Sequence, residues 1–324
     1  MADPAENVAR IILRRQRRLA DHGGPNPCRK CFENLASSVR GQLADGGPLR
    51  MLLPAFPVKS PNPEKVLGQL PDMGEELALR SLDEMCEDIR RHYGPGAGIL
   101  ICSDGRVFSD SVGVTDHVVT EYQRGMRSLV ERLRLDSISL FSLDDVYPGL
   151  SYRDMRLTLM FNHGERIQSL RDAVSGNDDI RQMYRGITRF LYEDADRSDS
   201  ILTNSALRRD CRRRAYDVMA RSQAWSRLLE CHFPDAIRLS IHPHPCGSKK
   251  IGIHLTSYTG GDQWLTPWHA VAVRTPEGYR FMKRRAAEAA GAVLVYQSAQ
   301  PHHYTLVGDS RHETTPHSRT VLGV

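Results

Sequence analysis

The densest group of side chains able to move protons or hold anions lies in the run RLSIHPHPCGSKKIGIHL, residues 238–255. His242 and His244 stand two apart, which puts them on one side of an extended segment. Lys249 and Lys250 follow, and His254 lies in the next apolar stretch. The segment WLTPWHAV then adds Trp264, Thr266, Trp268 and His269. Histidine is the side chain best suited to proton transfer near neutral pH, and lysine binds phosphate or attacks a carbonyl. An HxH pair also suggests a metal, with His254 as a third ligand. A catalytic iron or zinc site usually adds a carboxylate in fixed register, and no acidic residue follows the HPH.

A second group sits in AGILICSDGRVFSDSVGVTD, Ala97 to Asp116. The apolar run ending at Cys102 has the length and β-branched content of a buried strand. It breaks into Ser103, Asp104, Gly105 and Arg106, at the carboxyl end of a strand where open α/β sheets bind ligands. Gly105 allows a tight turn there, and Asp110 and Asp116 follow. A hairpin whose Asp and Arg bond only the backbone is the alternative. A third group, Lys59, Ser60 and Asn62, lies among Pro54, Pro57, Pro61 and Pro63. Each ring fixes its own φ and restricts the preceding residue, so this loop is a stiff platform or a plain proline-rich connector.

The elements that must position these groups alternate. Helices are expected over 5–19, 31–43, 77–93 and 117–134, and strands over 49–56, 99–102 and 137–143. Pro54 and Pro57 place the first strand at a sheet edge or a bulge rather than mid-sheet. Residues 151–232 read as a long helical block without strand signal. Strands return at 236–242, 251–255, 270–274 and 279–282, the last two joined by a Thr-Pro-Glu-Gly turn. A helix over 283–290 and the strand AVLVYQ follow. The economical architecture is α/β: a Rossmann-like mixed sheet flanked by helices, with a helical subdomain inserted around 151–232. Residues 1–48 then form an N-terminal helical segment, 49–308 the catalytic domain, and 309–324 a polar, disordered tail.

Composition narrows the class. Of 324 residues, 40% are hydrophobic and 26% charged, and the formal charge is +5, as for an ordinary globular protein. No apolar run reaches the roughly 20 residues of a membrane span. The early acidic residues do not form an export signal. Seven cysteines, an odd number, suit reduced thiols in a cytoplasm better than a disulfide framework. Cys28 and Cys31 form a lone CxxC; zinc would want a second pair or nearby histidines, and only His22 is close in sequence. The arginine clusters at 14–18 and 208–214 could bind nucleic acid, but both fit solvated helix faces.

The segments LLPAFPVKSPNPEKVLG, PGAGILICSDGRVFSDSVGVTD, RLSIHPHP with SKKIGIHL, and TPWH together resemble the pyoverdine/dityrosine biosynthesis family, the isocyanide (isonitrile) synthases. The resemblance spans roughly 49–295. It implies a Rossmann-like core that turns the α-amine of an aromatic amino acid, tyrosine before tryptophan, into an isonitrile with C2 of ribulose 5-phosphate. It implies neither metal nor nicotinamide, and no GxGxxG follows a strand here. A downstream oxygenase is the implied pathway partner. In that chemistry Lys59 and Ser60 would bind the sugar phosphate or its carbonyl, with Arg106 as the other anion anchor. Asp104 would orient the amine or sugar hydroxyls. His242 and His244 would be the acid–base pair, with Lys249 or Lys250 on phosphate. Trp268 and His269 would wall the aromatic pocket or share proton transfer. Asn62, Ser103, Asp110 and His254 complete the expected substrate contacts. The rivals are a metal-dependent oxygenase or hydrolase on His242, His244 and His254, and a nucleic-acid-binding module.

Overall fold

A computed structural model describes residues 3–18, 28–196, 203–256 and 265–306. Trp264, His22 and the tail beyond 306 lie outside them. Two helices, α1 (Pro4–Arg14) and α2 (Arg29–Leu43), precede β1 (Leu49–Pro54), α3 (Met73–Arg90), β2 (Ala97–Cys102), α4 (Gly105–Val112), α5 (Asp116–Leu133) and β3 (Ile138–Phe141). The helical block holds α6 (Leu143–Val146), α7 (Tyr152–His163), α8 (Ile167–Gly176), α9 (Asp178–Asp194) and α10 (Asn204–His232). Next come β4 (Ile237–Ser240), β5 (Lys250–Gly252), a 3-10 turn at Pro267–His269, β6 (Val271–Thr275), β7 (Gly278–Met282), α11 (Arg284–Ala289), β8 (Val293–Gln297) and β9 (Gln300–Thr305).

Rather than one mixed sheet, the strands form two: an all-parallel sheet in the order β3-β2-β1-β4-β5, and a mixed sheet in the order β7-β6-β9-β8. Helices cover both faces of the first. Met51, Leu53, Ile99 and Ile101 pack with α1, α2, α3 and α5 on one side, and Leu52 and Cys102 with α4, α7 and α10 on the other. Strands buried on both faces read as continuous apolar runs, as β1 and β2 do. β1 is the central strand and not the expected edge. Pro54 is its last residue, so the missing N–H falls where the ladder ends.

Two elements were not foreseen. Residues 105–112, read as a turn, form α4, and Gly105 is needed for close packing: a Cβ there would lie 2.1 Å from the Pro57 carbonyl oxygen. The β8–β9 hairpin turns through Ser298 and Ala299, both at positive φ; without Gly or Asn the turn has no sequence signature. The clustered arginines serve the fold itself. Arg17 donates to the Ile241 carbonyl at 2.7 Å, Arg15 to Ser81 at 2.5 Å, and Arg213 and Arg214 pair with Asp210. No described helix is long and apolar enough to cross a membrane.

The start of α3 anchors the loop after β1. Asp72 caps α3, and Glu75 returns the bond in a capping box. The Lys59 ammonium fits between these carboxylates, 2.8 Å from Asp72 and 2.7 Å from Glu75, and donates to the Pro267 carbonyl at 3.0 Å. Tyr122 of α5 donates to Glu75 at 3.0 Å. Lys59 and Glu75 are fully buried. Burial raises Glu75 to about 7 against the pull of Lys59. Burial opposes charge on Lys59 too, but the two carboxylates outweigh it and hold the lysine above its usual range. Removing one member of such a network strands the others, so Lys59→Met should lower stability to denaturant by about 3–5 kcal/mol. Breaking the exposed Arg91–Asp88 pair should leave the midpoint unchanged.

Candidate active site

The strand order reverses between β1 and β4, with β2 and β3 on one side and β4 and β5 on the other. In such sheets the crevice beyond the carboxyl ends of the two divergent strands is the ligand site. The loops entering it carry residues 55–60 after β1, 103–106 after β2 and 241–244 after β4. The ends of β2 and β4 are two strand spacings apart, about 10 Å.

Three groups form a cationic corner on the β4 side. Ile237 and Leu239 are buried in the core, while Arg238 and Ser240 of the opposite face stay half-buried. Lys250 of β5 stands in register with Arg238. Both reach the Ser226 hydroxyl of α10, Arg238 Nη2 at 3.3 Å and Lys250 Nζ at 3.0 Å. Burial, and then the Arg238 charge, hold the Lys250 amine below its usual range. Burial also lowers the Arg238 guanidinium. His244 is lowered by burial and by Lys250. Arg238 Nε and His244 Nε2 are buried without a hydrogen-bond partner among the described residues. Buried polar atoms normally find partners, and these two have none among those residues.

His242 comes next along the loop. It is an exposed residue, and desolvation, with His244, Arg17 and His269 nearby, holds its ring below its usual range. His269 is held at both nitrogens, Nδ1 at 3.1 Å from Thr266 Oγ1 and Nε2 at 3.0 Å from Asp194 Oδ2. Lys65 also pairs with Asp194. Burial alone would raise Asp194, but His269 and Lys65 outweigh it and keep this carboxyl below its usual range. On the β2 side Asp104 differs: burial raises it to about 7, with only its own backbone amide opposing. A carboxyl poised near neutrality at a strand end is suited to acid–base work.

The sequence-predicted residues divide accordingly. His242 has His244 and His269 as neighbours, and His244 has Lys250, while Asp104 stands at the end of β2. Ser103 precedes it, bonded to the Phe56 carbonyl at 2.9 Å. Ser60 and Asn62 lock the loop: the Ser60 amide donates to the Trp268 carbonyl at 2.8 Å and the Asn62 side chain to the Glu193 carbonyl at 2.8 Å. Trp268 is buried against Phe56, ring centroids 5.1 Å apart. Lys59 has no exposed surface. Arg106 is 2% exposed, bonded to Asp144, Thr120 and the Asp116 carbonyl and stacked 3.8 Å over Tyr152. Asp110 pairs with Arg221 and Arg156. Lys249 is exposed, and the His254 amide donates to the Arg15 carbonyl at 2.8 Å. His242, His244 and His254 do not form a metal-ligating group among the described residues.

Sequence reading missed Arg238, Ser226, Lys65 and Asp194. Arg238 had a signal: in IRLSIH the polar residues alternate with apolar ones, unlike a strand covered on both faces. Asp194 had none, because its pairing with His269 crosses 75 residues of chain.

Comparison with known proteins places the chain in a family. Residues 39–295 match the family described as pyoverdine/dityrosine biosynthesis protein. The chain belongs to that family, the isocyanide synthases. An L-tryptophan isonitrile synthase of Fischerella ambigua is 41% identical over 302 residues, covering 93% of this chain and 91% of that protein. An L-tyrosine isonitrile synthase of Pseudomonas aeruginosa is 40% identical, covering 94% of each. The crystal structure of the PvcA protein from Pseudomonas aeruginosa superposes with a TM-score of 0.89 at 39% identity, covering 94% of this chain and all of that one.

Asp104 gives a pH signature for this isocyanide synthase. Its carboxyl is raised in the folded state, so its contribution to stability is complete below the unfolded value and is lost as pH rises through about 7. Asp104→Asn should therefore melt higher than the parent at pH 8, with the gap closing toward pH 5. If Asp104 acts as an acid, the parent's kcat/KM should fall above about pH 7 and the variant should lack that limb. Thermal melts and rate profiles across this range check both.

Proposed function

We propose that this isocyanide synthase converts the α-amine of an aromatic L-amino acid, tyrosine or tryptophan, into an isonitrile, taking C2 of ribulose 5-phosphate as the added carbon. The observation that carries this reading is the arrangement of unlike groups around one crevice. An unsatisfied cationic corner lies on one side, a carboxyl near neutrality on the other, and a neutral histidine beside the first.

The corner of Arg238, Lys250 and His244 supplies two cations, an unpaired guanidinium N–H and an unpaired imidazole nitrogen, a set that suits a phosphate. Bound there, the sugar phosphate extends its carbonyl across the β1 end toward Asp104. The unprotonated amine attacks C2 beside His242, and the proton on the new C–N nitrogen passes to the alkoxide formed at C2, giving the neutral hemiaminal. Protonated Asp104 then gives its proton to the departing hydroxyl, and loss of water leaves the imine. Later bond cleavages and phosphate loss develop negative charge that Lys250 and Arg238 stabilise. His269, fixed by Asp194 and Thr266, orients the wall beside His242. Lys59 and Arg106 are assigned to the frame and not to substrate. The family resemblance supports the choice of amine and carbon donor, and it implies an oxygenase as the next enzyme on the isonitrile.

The direct test incubates the protein with each amino acid and ribulose 5-phosphate labelled at C2, with mass spectrometry of the product. The label should appear in an isonitrile from one of the two. An unlabelled isonitrile contradicts the carbon source, and absence of isonitrile from both contradicts the reading. Arg238→Ala and Lys250→Ala should each raise KM for the sugar phosphate about tenfold or more, the effect of losing one charge-assisted bond, with little change in KM for the amino acid.

A further inference from the structure

The lone CxxC of the sequence is completed in space by a residue more than two hundred positions away. Cys28 is the N-cap of α2, and Cys31 lies in its first turn. Cys246, in the loop that carries His242 and His244, brings its Sγ to 2.8 Å from Cys28 Sγ and 3.7 Å from Cys31 Sγ. All three sulfurs lie within 4.8 Å of one another, and they form the only group of potential metal ligands of this kind among the described residues.

Four features argue for a metal centre over a thiol contact. With zinc–sulfur bonds of about 2.3 Å, tetrahedral geometry sets sulfurs roughly 3.8 Å apart, close to the 3.7 Å Cys31–Cys246 separation. Cys28 and Cys246, at 2.8 Å, have to part by about 1 Å to admit the ion. A Cys28–Cys246 disulfide would need about 2.05 Å and would leave the third thiol without a role. The Cys31 amide donates to Cys28 Sγ at 3.3 Å, an N–H bond that favours thiolate there. Lys30 is close as well: a Cβ on Gly247 would lie 3.1 Å from its ammonium, so a cation stands beside the cluster to offset net thiolate charge.

We propose that Cys28, Cys31 and Cys246 bind one zinc ion, a three-thiolate centre with an open fourth position that fastens the histidine-bearing loop after β4 to the start of α2. On binding, three S–H bonds are replaced by three zinc–sulfur bonds and three protons pass to solvent, with water as the fourth ligand. No change of oxidation state is involved. The centre holds Cys246 and, through it, the approach of His242 and His244 to the crevice. The inference is independent of which amino acid the enzyme takes.

The test uses the full chain purified under reducing conditions. Elemental analysis after zinc loading and dialysis should give about one zinc per chain. Cobalt in its place should give thiolate-to-metal charge-transfer absorption and the intense visible bands of a tetrahedral site. Cys28→Ser and Cys246→Ser should abolish both, while Cys231→Ser, an exposed cysteine elsewhere, should change neither. If a variant misfolds, alkylation of the native chain decides: zinc should protect Cys28, Cys31 and Cys246 while Cys231 reacts, and a chelator should expose all three. No uptake by the reduced chain, uptake unchanged in Cys246→Ser, or protection unaffected by zinc overturns the proposal.

Discussion

The buried ammonium of Lys59 between Asp72 and Glu75 is the constraint on which the rest of the structure depends. A charge without solvent exposure survives only with partners of opposite sign and full hydrogen bonding, and Lys59 has both. The partners come from three places: the capping box of α3, the Tyr122 hydroxyl of α5 behind Glu75, and the Pro267 carbonyl of the 3-10 turn. One network therefore fixes the loop after the central strand against a helix from each side of its turn. It also seats the segment that presents His269. The capping residues of α3 thus act twice, once for the helix and once for the loop.

That rigid floor allows the crevice above it to be electrostatically unfinished. Asp104 sits at a raised pKa without a cation, and Arg238 and His244 keep buried nitrogens without partners among the described residues. Each costs folding free energy in the empty protein, since unpaired buried polar groups are disfavoured. In the proposed reaction, the sugar phosphate is the group that would pair with them. Arg106 with Asp144 and Arg156 with Asp116, by contrast, are matched ion pairs.

Much of this was legible in the sequence, for local reasons. Apolar runs ending in Ser103-Asp104 and in Ser240-Ile241-His242 mark strands that deliver polar residues at their carboxyl ends, and the structure has both. The parts that were not legible depend on contacts distant in sequence. Pro54 suggested an edge because proline lacks a ladder donor, yet strand length put it at the last position of the central strand. Lys59 looked like an anchor for substrate, since nothing local shows that Asp72 and Glu75 enclose it. Gly105 announced a turn, whereas its purpose is the close passage of the Pro57 carbonyl. The second sheet was hidden by a Ser-Ala turn in a conformation those residues seldom adopt.

The central claim is that one crevice at the β1–β4 divergence holds the sugar phosphate and the amine together. A crystal structure of the Asp104→Asn variant soaked with ribulose 5-phosphate tests it most directly. The account predicts phosphate oxygens within hydrogen-bond distance of Arg238 Nε, Lys250 Nζ and His244 Nε2, with the ketone directed toward residue 104. Phosphate bound at another surface, with Arg238 and His244 still unpartnered, would contradict it.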